Sequence, residues 1–179
     1  MIRFYIIIVC ILISGALCAQ KWQVKGDVSF ISDAPLEMIS AESKKLNGLI
    51  DVEKSTFAFT IPLKSFEGFN SALQKEHFHE NYMESGTFPN ITYAGKLLDK
   101  FPSGVDGVYE VRSKGFFTIH GVKKERILKN TIRVKGNKIF LESQFTILLD
   151  EYNIVIPKIV HKKIAEEIKV FVTGEAFIP

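Results

Sequence analysis

The densest run of chemistry-bearing side chains is Glu76-His77-Phe78-His79-Glu80-Asn81-Tyr82-Met83-Glu84. Imidazoles and carboxylates this close together can ligate zinc or form an acid–base pair. On a helix, His77 and His79 point about 200° apart, whereas Glu76/His79 and His77/Glu80 are i,i+3 neighbours on shared faces. Two readings fit that spacing. One is a metal-binding module or metal-dependent enzyme built on Glu76, His77, His79 and Glu80. The other is a helix surface with local charge pairs, in which a His or Tyr closes one end of the fold. Elsewhere the signals are weaker. His120-Gly121 follows an apolar run, as a turn would, and His161 sits among lysines as a solvated residue. Ser65, Ser71, Ser85 and Ser143 lack a nucleophile-elbow setting, and no phosphate-binding or EF-hand loop is present. No catalytic residue, bound metal or cofactor is therefore expected.

The chain that must position these groups has 179 residues, of which 46% are hydrophobic, with a formal charge of +3. Its start reads as a secretory signal peptide over residues 1–19: Arg3, an unbroken apolar run over 6–13, then Ser14-Gly15-Ala16-Leu17-Cys18-Ala19. The run is shorter than the roughly 18 apolar residues a membrane-spanning helix needs. Cleavage is expected near Cys18 or Ala19, giving a periplasmic or secreted protein. Bacterial lipoprotein signals usually carry a small residue before the modified cysteine, and Leu17 stands there, so lipid anchoring at Cys18 is not expected.

What remains, residues 20–179, carries a net charge of +2 and no cysteine, because Cys10 and Cys18 both precede it. Disulfide scaffolds, thiolate metal sites and cysteine nucleophiles are thereby excluded from the mature chain. The near-neutral balance leaves no electrostatic footprint for nucleic acid. One domain of ordinary size is expected.

Period-two alternation dominates that domain and marks strands with one buried face. Trp22, Val24, Val28 and Phe30 alternate with polar residues, as do Phe57, Phe59, Ile61 and Leu63. Ile91/Tyr93/Leu97, Phe117/Ile119, Phe145/Ile147/Leu149 and Ile168/Val170/Val172 follow the same rule. Lys135-Gly136-Asn137-Lys138 predicts a two-residue hairpin, and residues 103–107 a looser turn. Asn47-Gly48 is also a hairpin signal, yet Leu46, Gly48, Ile50 and Val52 read as one continuing strand. Helical patterning is confined to residues 70–83 and, briefly, 158–165. The class is all-β, a sandwich or barrel of about eight to ten strands. The inward set Phe57, Phe59, Ile61, Tyr93, Phe117, Ile119, Phe145 and Ile147 suits a ligand cavity or a solid core. Alternation alone favours the solid core, because a cavity forfeits burial and dispersion contacts. Lys158, Lys162 and Lys163 could touch an anionic membrane, but alone they read as an exposed charged face.

Several segments in order resemble the YceI-like family. They are Ile61-Pro62-Leu63-Lys64-Ser65-Phe66, His77-Phe78-x-Glu80-x-Tyr82-Met83-Glu84, Phe88-Pro89-Asn90-Ile91-Thr92-Tyr93, Gly115-Phe116-Phe117-Thr118-Ile119-His120-Gly121-Val122-Lys123-Lys124 and Ile164-Ala165-x-x-Ile168-x-Val170. The resemblance runs from about Gln23 to Phe177. It implies an extended lipocalin-like antiparallel β-barrel of about eight strands, with one short helix beside it. It also implies an exported, non-enzymatic protein that holds a long-chain lipid, typically a polyisoprenoid, against the inward set named above. On this resemblance Gly48 lies within a strand, and the interior becomes a pocket. Tyr93, His77 or Tyr82 would meet the head group. A homodimer completes what the resemblance implies, and transient contact with a membrane surface stays open through the three lysines above. The rival readings are the metal module on the histidine cluster and a solid β-domain serving as an envelope interaction module. The run from Gln74 to Ser85 departs from the commoner family wording, which places an arginine and an aspartate before the histidine.

Overall fold

The computed structural model describes residues 21–102 and 104–177. The signal peptide expected at residues 1–19, with its cleavage point and Cys18, lies outside the described residues.

Eight strands form: β1 (Lys21–Asp33), β2 (Met38–Asp51), β3 (Thr56–Pro62), β4 (Asn90–Leu97), β5 (Gly107–Ile119), β6 (Val122–Lys135), β7 (Lys138–Leu148) and β8 (Glu167–Phe177). Each pairs antiparallel with its neighbour in sequence, and β8 returns to β1, closing an up-and-down barrel. Closure leaves no free edge strand, although the β2–β3 and β6–β7 ladders each run over only part of those strands. The inward face of each strand is apolar, as the alternation predicts. The outward face carries cross-strand ion pairs such as Lys114–Glu125 at 3.1 Å and Lys138–Glu175 at 3.1 Å. Such exposed pairs contribute little to stability.

Gly48 sits in mid-strand, opposite Val24 of β1 and Phe59 of β3. The hairpin signal at Asn47-Gly48 is thus overridden, and the glycine has a packing reason. A Cβ at Gly48 would lie 2.1 Å from Cδ1 of Phe59, so the missing side chain is the space in which that ring rests. Further along, β2 carries an irregularity opposite Gly26 and Val28. One extra β2 residue there reverses the parity of the strand, so that Ser43 and Ala41, rather than even-numbered residues, turn inward.

The expected hairpin at Lys135–Lys138 forms, with Gly136 at φ 57°. His120 and Gly121 make the β5–β6 turn, both at positive φ (49° and 74°). The helix expected over 70–83 is shorter and changes character. Helix α1 (Ala72–His77) is capped by Ser71, whose side chain accepts from the Gln74 amide, and then widens into a π-helical turn over Phe78–Tyr82. The second helical stretch, expected over 158–165, is only one 3-10 turn, Lys158–Val160. The Lys162 carbonyl, which a continuing helix would offer to the amide four residues on, instead accepts from the Leu36 amide at 2.9 Å. No helix among the described residues is long and apolar enough to cross a membrane.

Candidate ligand-binding site

The barrel ends differ. At one end the connections are short, and the β4–β5 loop folds Phe101 over the opening. Phe101 is buried against Trp22, with ring centroids 6.2 Å apart. Asp99 anchors that loop. One carboxylate oxygen accepts from the Arg112 backbone amide (2.8 Å) and its Nε (2.9 Å), while the other accepts from its Nη2 (2.8 Å). This guanidinium clamp holds the Asp99 carboxyl down at about 2, below the ordinary value.

The opposite end carries the long connections. Beyond the Asn47↔Thr60 pair, β2 loses β3 as a neighbour, and the chain over 63–70 takes its place. Glu42 and Glu67 exchange two backbone hydrogen bonds of 2.8 Å there. The buried Ser43 hydroxyl donates to Ser65 Oγ, which in turn donates to the Pro62 carbonyl. Phe66, Phe69 and Phe78 from this connection gather on Phe30 of β1, the last stacked on it at 5.5 Å and 15°. That aromatic cluster holds α1 beside the barrel mouth.

Between floor and mouth lies an apolar cavity of about 500 Å³. This falls within the range of small-molecule sites. All eight residues of the predicted inward set line it: Phe57, Phe59, Ile61, Tyr93, Phe117, Ile119, Phe145 and Ile147. The solid core that alternation alone favoured is therefore not what forms. One wall is an aromatic ladder. Tyr93 stacks on Phe117 at 4.2 Å and 13°, with Phe57 and Phe145 at 4.7 and 5.2 Å on either side.

His77 and Tyr82 also reach the cavity, from α1 and the turn that follows it. His79 does not. It lines a separate polar hollow with Lys64, Glu80 and Glu84, and its ring packs on Phe69 and Phe78. Burial lowers its pKa below the usual imidazole value, aided by the Lys75 charge. The structure thus parts the two histidines that a metal reading needs together. No group of three His, Asp or Glu with metal-binding geometry exists among the described residues. His120, expected as a plain turn residue, is largely enclosed. Its Nδ1 meets the Tyr152 carbonyl at 3.1 Å, its ring packs edge-on against Phe88, and Nε2 lies 3.2 Å from Glu84 Oε1.

A polar belt interrupts the apolar lining. Tyr93 Oη lies 3.1 Å from Ser113 Oγ, and Asn130 Nδ2 donates to that same Oγ (3.0 Å) and to the Val111 carbonyl (2.8 Å). Burial raises the Tyr93 hydroxyl above the ordinary phenol pKa, against the opposing pull of Ser113 and Arg126, so it stays protonated near neutral pH. Across from Asn130, the Ser143 hydroxyl is buried without a partner, so the belt can offer it to a polar group of a bound molecule. The β6–β7 ladder stops at this Asn130↔Ser143 pair. Above it, Arg126 spans the parted strands, donating to the Thr146 carbonyl (2.9 Å) and to Glu151 (3.0 Å). Sequence reasoning missed this belt and Arg126. Ser113, Asn130 and Ser143 share the inward parity of Val111, Leu128 and Leu141, and that parity is the signal that could have found them.

Fold and cavity together define a class: closed antiparallel barrels whose interior is an apolar pocket with one dressed mouth. A YceI-like domain matches residues 22–176, and the chain belongs to that family. Among solved structures it is similar to a polyisoprenoid-binding domain from Saccharophagus degradans implicated in plant cell wall breakdown. That likeness has 15% identity and TM-score 0.73, covering 88% of this chain and 98% of that one. It is similar to BcnA of Burkholderia cenocepacia at 17% identity and TM-score 0.68, over 84% and 95% of the two chains. A YCEI protein of Campylobacter jejuni gives 16% identity and TM-score 0.57, over 74% and 81%. At such identities these likenesses bear on the fold. No curated protein matches the chain by sequence.

Proposed function

We propose that this chain is an exported, non-enzymatic binding protein that sequesters or carries a long-chain amphiphile, with a polyisoprenoid as the leading ligand. The observation that carries the reading is the cavity itself, about 500 Å³ lined by Phe, Tyr, Ile and Leu side chains between a stopped floor and an open mouth. Burying a methylene contributes about 0.8 kcal/mol, so ten of them contribute on the order of 8 kcal/mol before ordering costs. Such binding needs few polar contacts, which suits a site without a nucleophile–base pair. In this reading the chain lies along the ladder Phe57–Tyr93–Phe117–Phe145, and His77 and Tyr82 meet the head group at the mouth. Burial keeps the Tyr82 phenol protonated near neutral pH, able to donate as well as accept. The YceI-like family and the polyisoprenoid-binding neighbour support the ligand class.

Export to the periplasm or medium belongs to the same reading and is supported by Arg3, the apolar run over 6–13 and the small residues that follow. A homodimer rests on the resemblance, and transient contact with a membrane surface on the lysines Lys158, Lys162 and Lys163. The deciding experiment is native mass spectrometry of protein purified from its own envelope, with solvent extraction and a parallel uptake assay using a polyprenol. A co-purifying long-chain lipid, or stoichiometric uptake, is expected. Apo protein in every preparation, together with no uptake, overturns the proposal.

A further inference from the structure

The mouth of the cavity is framed by three pieces of chain that hydrogen-bond into one rim. The Leu36 amide of the β1–β2 turn donates to the Lys162 carbonyl at 2.9 Å, joining that turn to the β7–β8 connection. On the other side Gln74 of α1 donates to Glu37 at 3.0 Å, and Asn70 donates to the Met38 carbonyl at 3.0 Å. Leu73 and Gln74 on the helix, Glu37 on the turn, and Val160 and Lys163 on the connection all line the cavity as well. The rim and the pocket are therefore one continuous surface.

What the rim shows to solvent is unusual for a soluble face. Ile159 is 91% exposed, Leu36 67% and Leu73 59%. Ile159 stands between Lys158 and the Lys162-Lys163 pair, and no carboxylate among the described residues comes within ion-pair distance of these three lysines. The nearby acids are otherwise engaged or set back. Glu37 accepts from Gln74, Asp33 pairs with Lys169 at 3.3 Å, and Glu166 and Glu167 lie where the chain re-enters the wall. Apolar side chains projecting beside unpaired lysines are the pattern of an interfacial anchor, in which the side chains enter the acyl boundary and the ammonium groups meet anionic head groups. Lysines alone fit a solvated face. The exposed isoleucine and leucines beside them, at the opening of an apolar cavity, do not.

We propose that this rim is a docking surface for an anionic membrane, with Ile159 and Leu36 entering the bilayer interface and Lys158, Lys162 and Lys163 contacting lipid head groups. Docking in this pose sets the mouth against the bilayer, and a long-chain amphiphile passes between bilayer and barrel without crossing bulk water. The purpose of the contact rests on the lipid-binding reading, but its test does not.

The test is co-sedimentation of the mature protein with phosphatidylglycerol/phosphatidylcholine vesicles that contain no isoprenoid, against pure phosphatidylcholine vesicles. Wild type is expected to pellet with the anionic vesicles and to release as salt is raised. The double change Lys158→Gln/Lys162→Gln should weaken partitioning about 25-fold, at roughly fivefold per lysine. Ile159→Asp should weaken it about tenfold or more. All three substituted side chains are exposed and outside the cavity lining, so thermal stability and uptake of a polyprenol from a cyclodextrin complex should match wild type. Docking is overturned if wild type does not pellet with anionic vesicles, or if both variants pellet as well as wild type. Normal cyclodextrin uptake without vesicle binding sinks docking alone. Vesicle binding without uptake supports docking and sinks the carrier reading instead.

Discussion

Gly48→Ala separates a pocket from a core, because it adds one methyl group at a place where the two predict different results. The new Cβ would stand 2.1 Å from Cδ1 of Phe59. Carbon atoms pack at about 3.5–4.0 Å, so the ring must retreat by roughly 1.5 Å or more. In a filled interior such crowding costs about 1–3 kcal/mol. Here the inward side of Phe59 faces the cavity, and the ring can move into empty space. The expected loss of folding stability is therefore below about 1 kcal/mol, at the low end of the overpacking range. The ligand bears the cost instead. If the displaced ring excludes two methylenes of a bound chain, affinity falls by about 1.6 kcal/mol, or about 15-fold in Kd. Urea unfolding gives the stability, and titration with a polyprenol gives the affinity. Adding Phe59→Leu to Gly48→Ala should restore most of the lost affinity by removing ring volume. A variant destabilised by 2 kcal/mol or more with unchanged Kd would refute the reasoning and point to a packed interior.

Arg126→Met should loosen the parted segment between β6 and β7. Its hydrogen bonds to the Thr146 carbonyl and Glu151 are lost, costing about 1–2 kcal/mol given their partial exposure. Faster amide exchange confined to residues 144–149 checks this, and uniform exchange throughout the barrel would contradict it. Asp99→Asn should lower the melting temperature at neutral pH by releasing the Phe101 loop. Because the folded carboxyl titrates at about 2, below its ordinary value of 3.8, its contribution is present above pH 4 and is lost as the pH falls through 2. Wild type and variant should then melt alike near pH 1.5, and a gap that persists there would assign the effect to something other than the charge.

Legibility in the sequence followed how far a single strand could be read alone. Six of the strands, all but β2 and β6, announce themselves because inward positions hold large apolar residues every second place. Most of β2 was silent. Its irregularity reverses parity in mid-strand, and the inward residues just beyond it are Ser43 and Ala41, too small or polar to register as a buried face, so that Ile39 stands alone. Asn47-Gly48 was ambiguous in the local sequence for a related reason. A short-range turn preference competes with pairing to two strands at once, and the tertiary pairing wins. The lining was legible as a set because inward parity and lining are the same thing in a barrel. Whether those rings meet or leave a gap depends on barrel diameter, which alternation does not encode. The polar belt was hidden differently. Ser113, Asn130 and Ser143 come from three strands, and only the registers β5–β6 and β6–β7 bring them level. The separation of His77 from His79, by contrast, was legible, since neighbours two apart on a helix point about 200° away from each other, and the two line different hollows.

The floor made by Phe101 and Trp22 turns the barrel into a gauge. Strand β5 has 13 residues, and at about 3.3 Å per residue with a tilt near 40° the wall stands about 30 Å tall. A molecule entering tail first meets the floor, so its length decides whether its polar end finishes inside the wall, level with it or beyond it. Homologues of one ligand differing only in chain length would present their head groups at different heights. On the carrier reading, a ligand that uses the mouth as its door would also exchange in order: the last part to enter would be the first to leave, and a new occupant would wait until the old one had backed out.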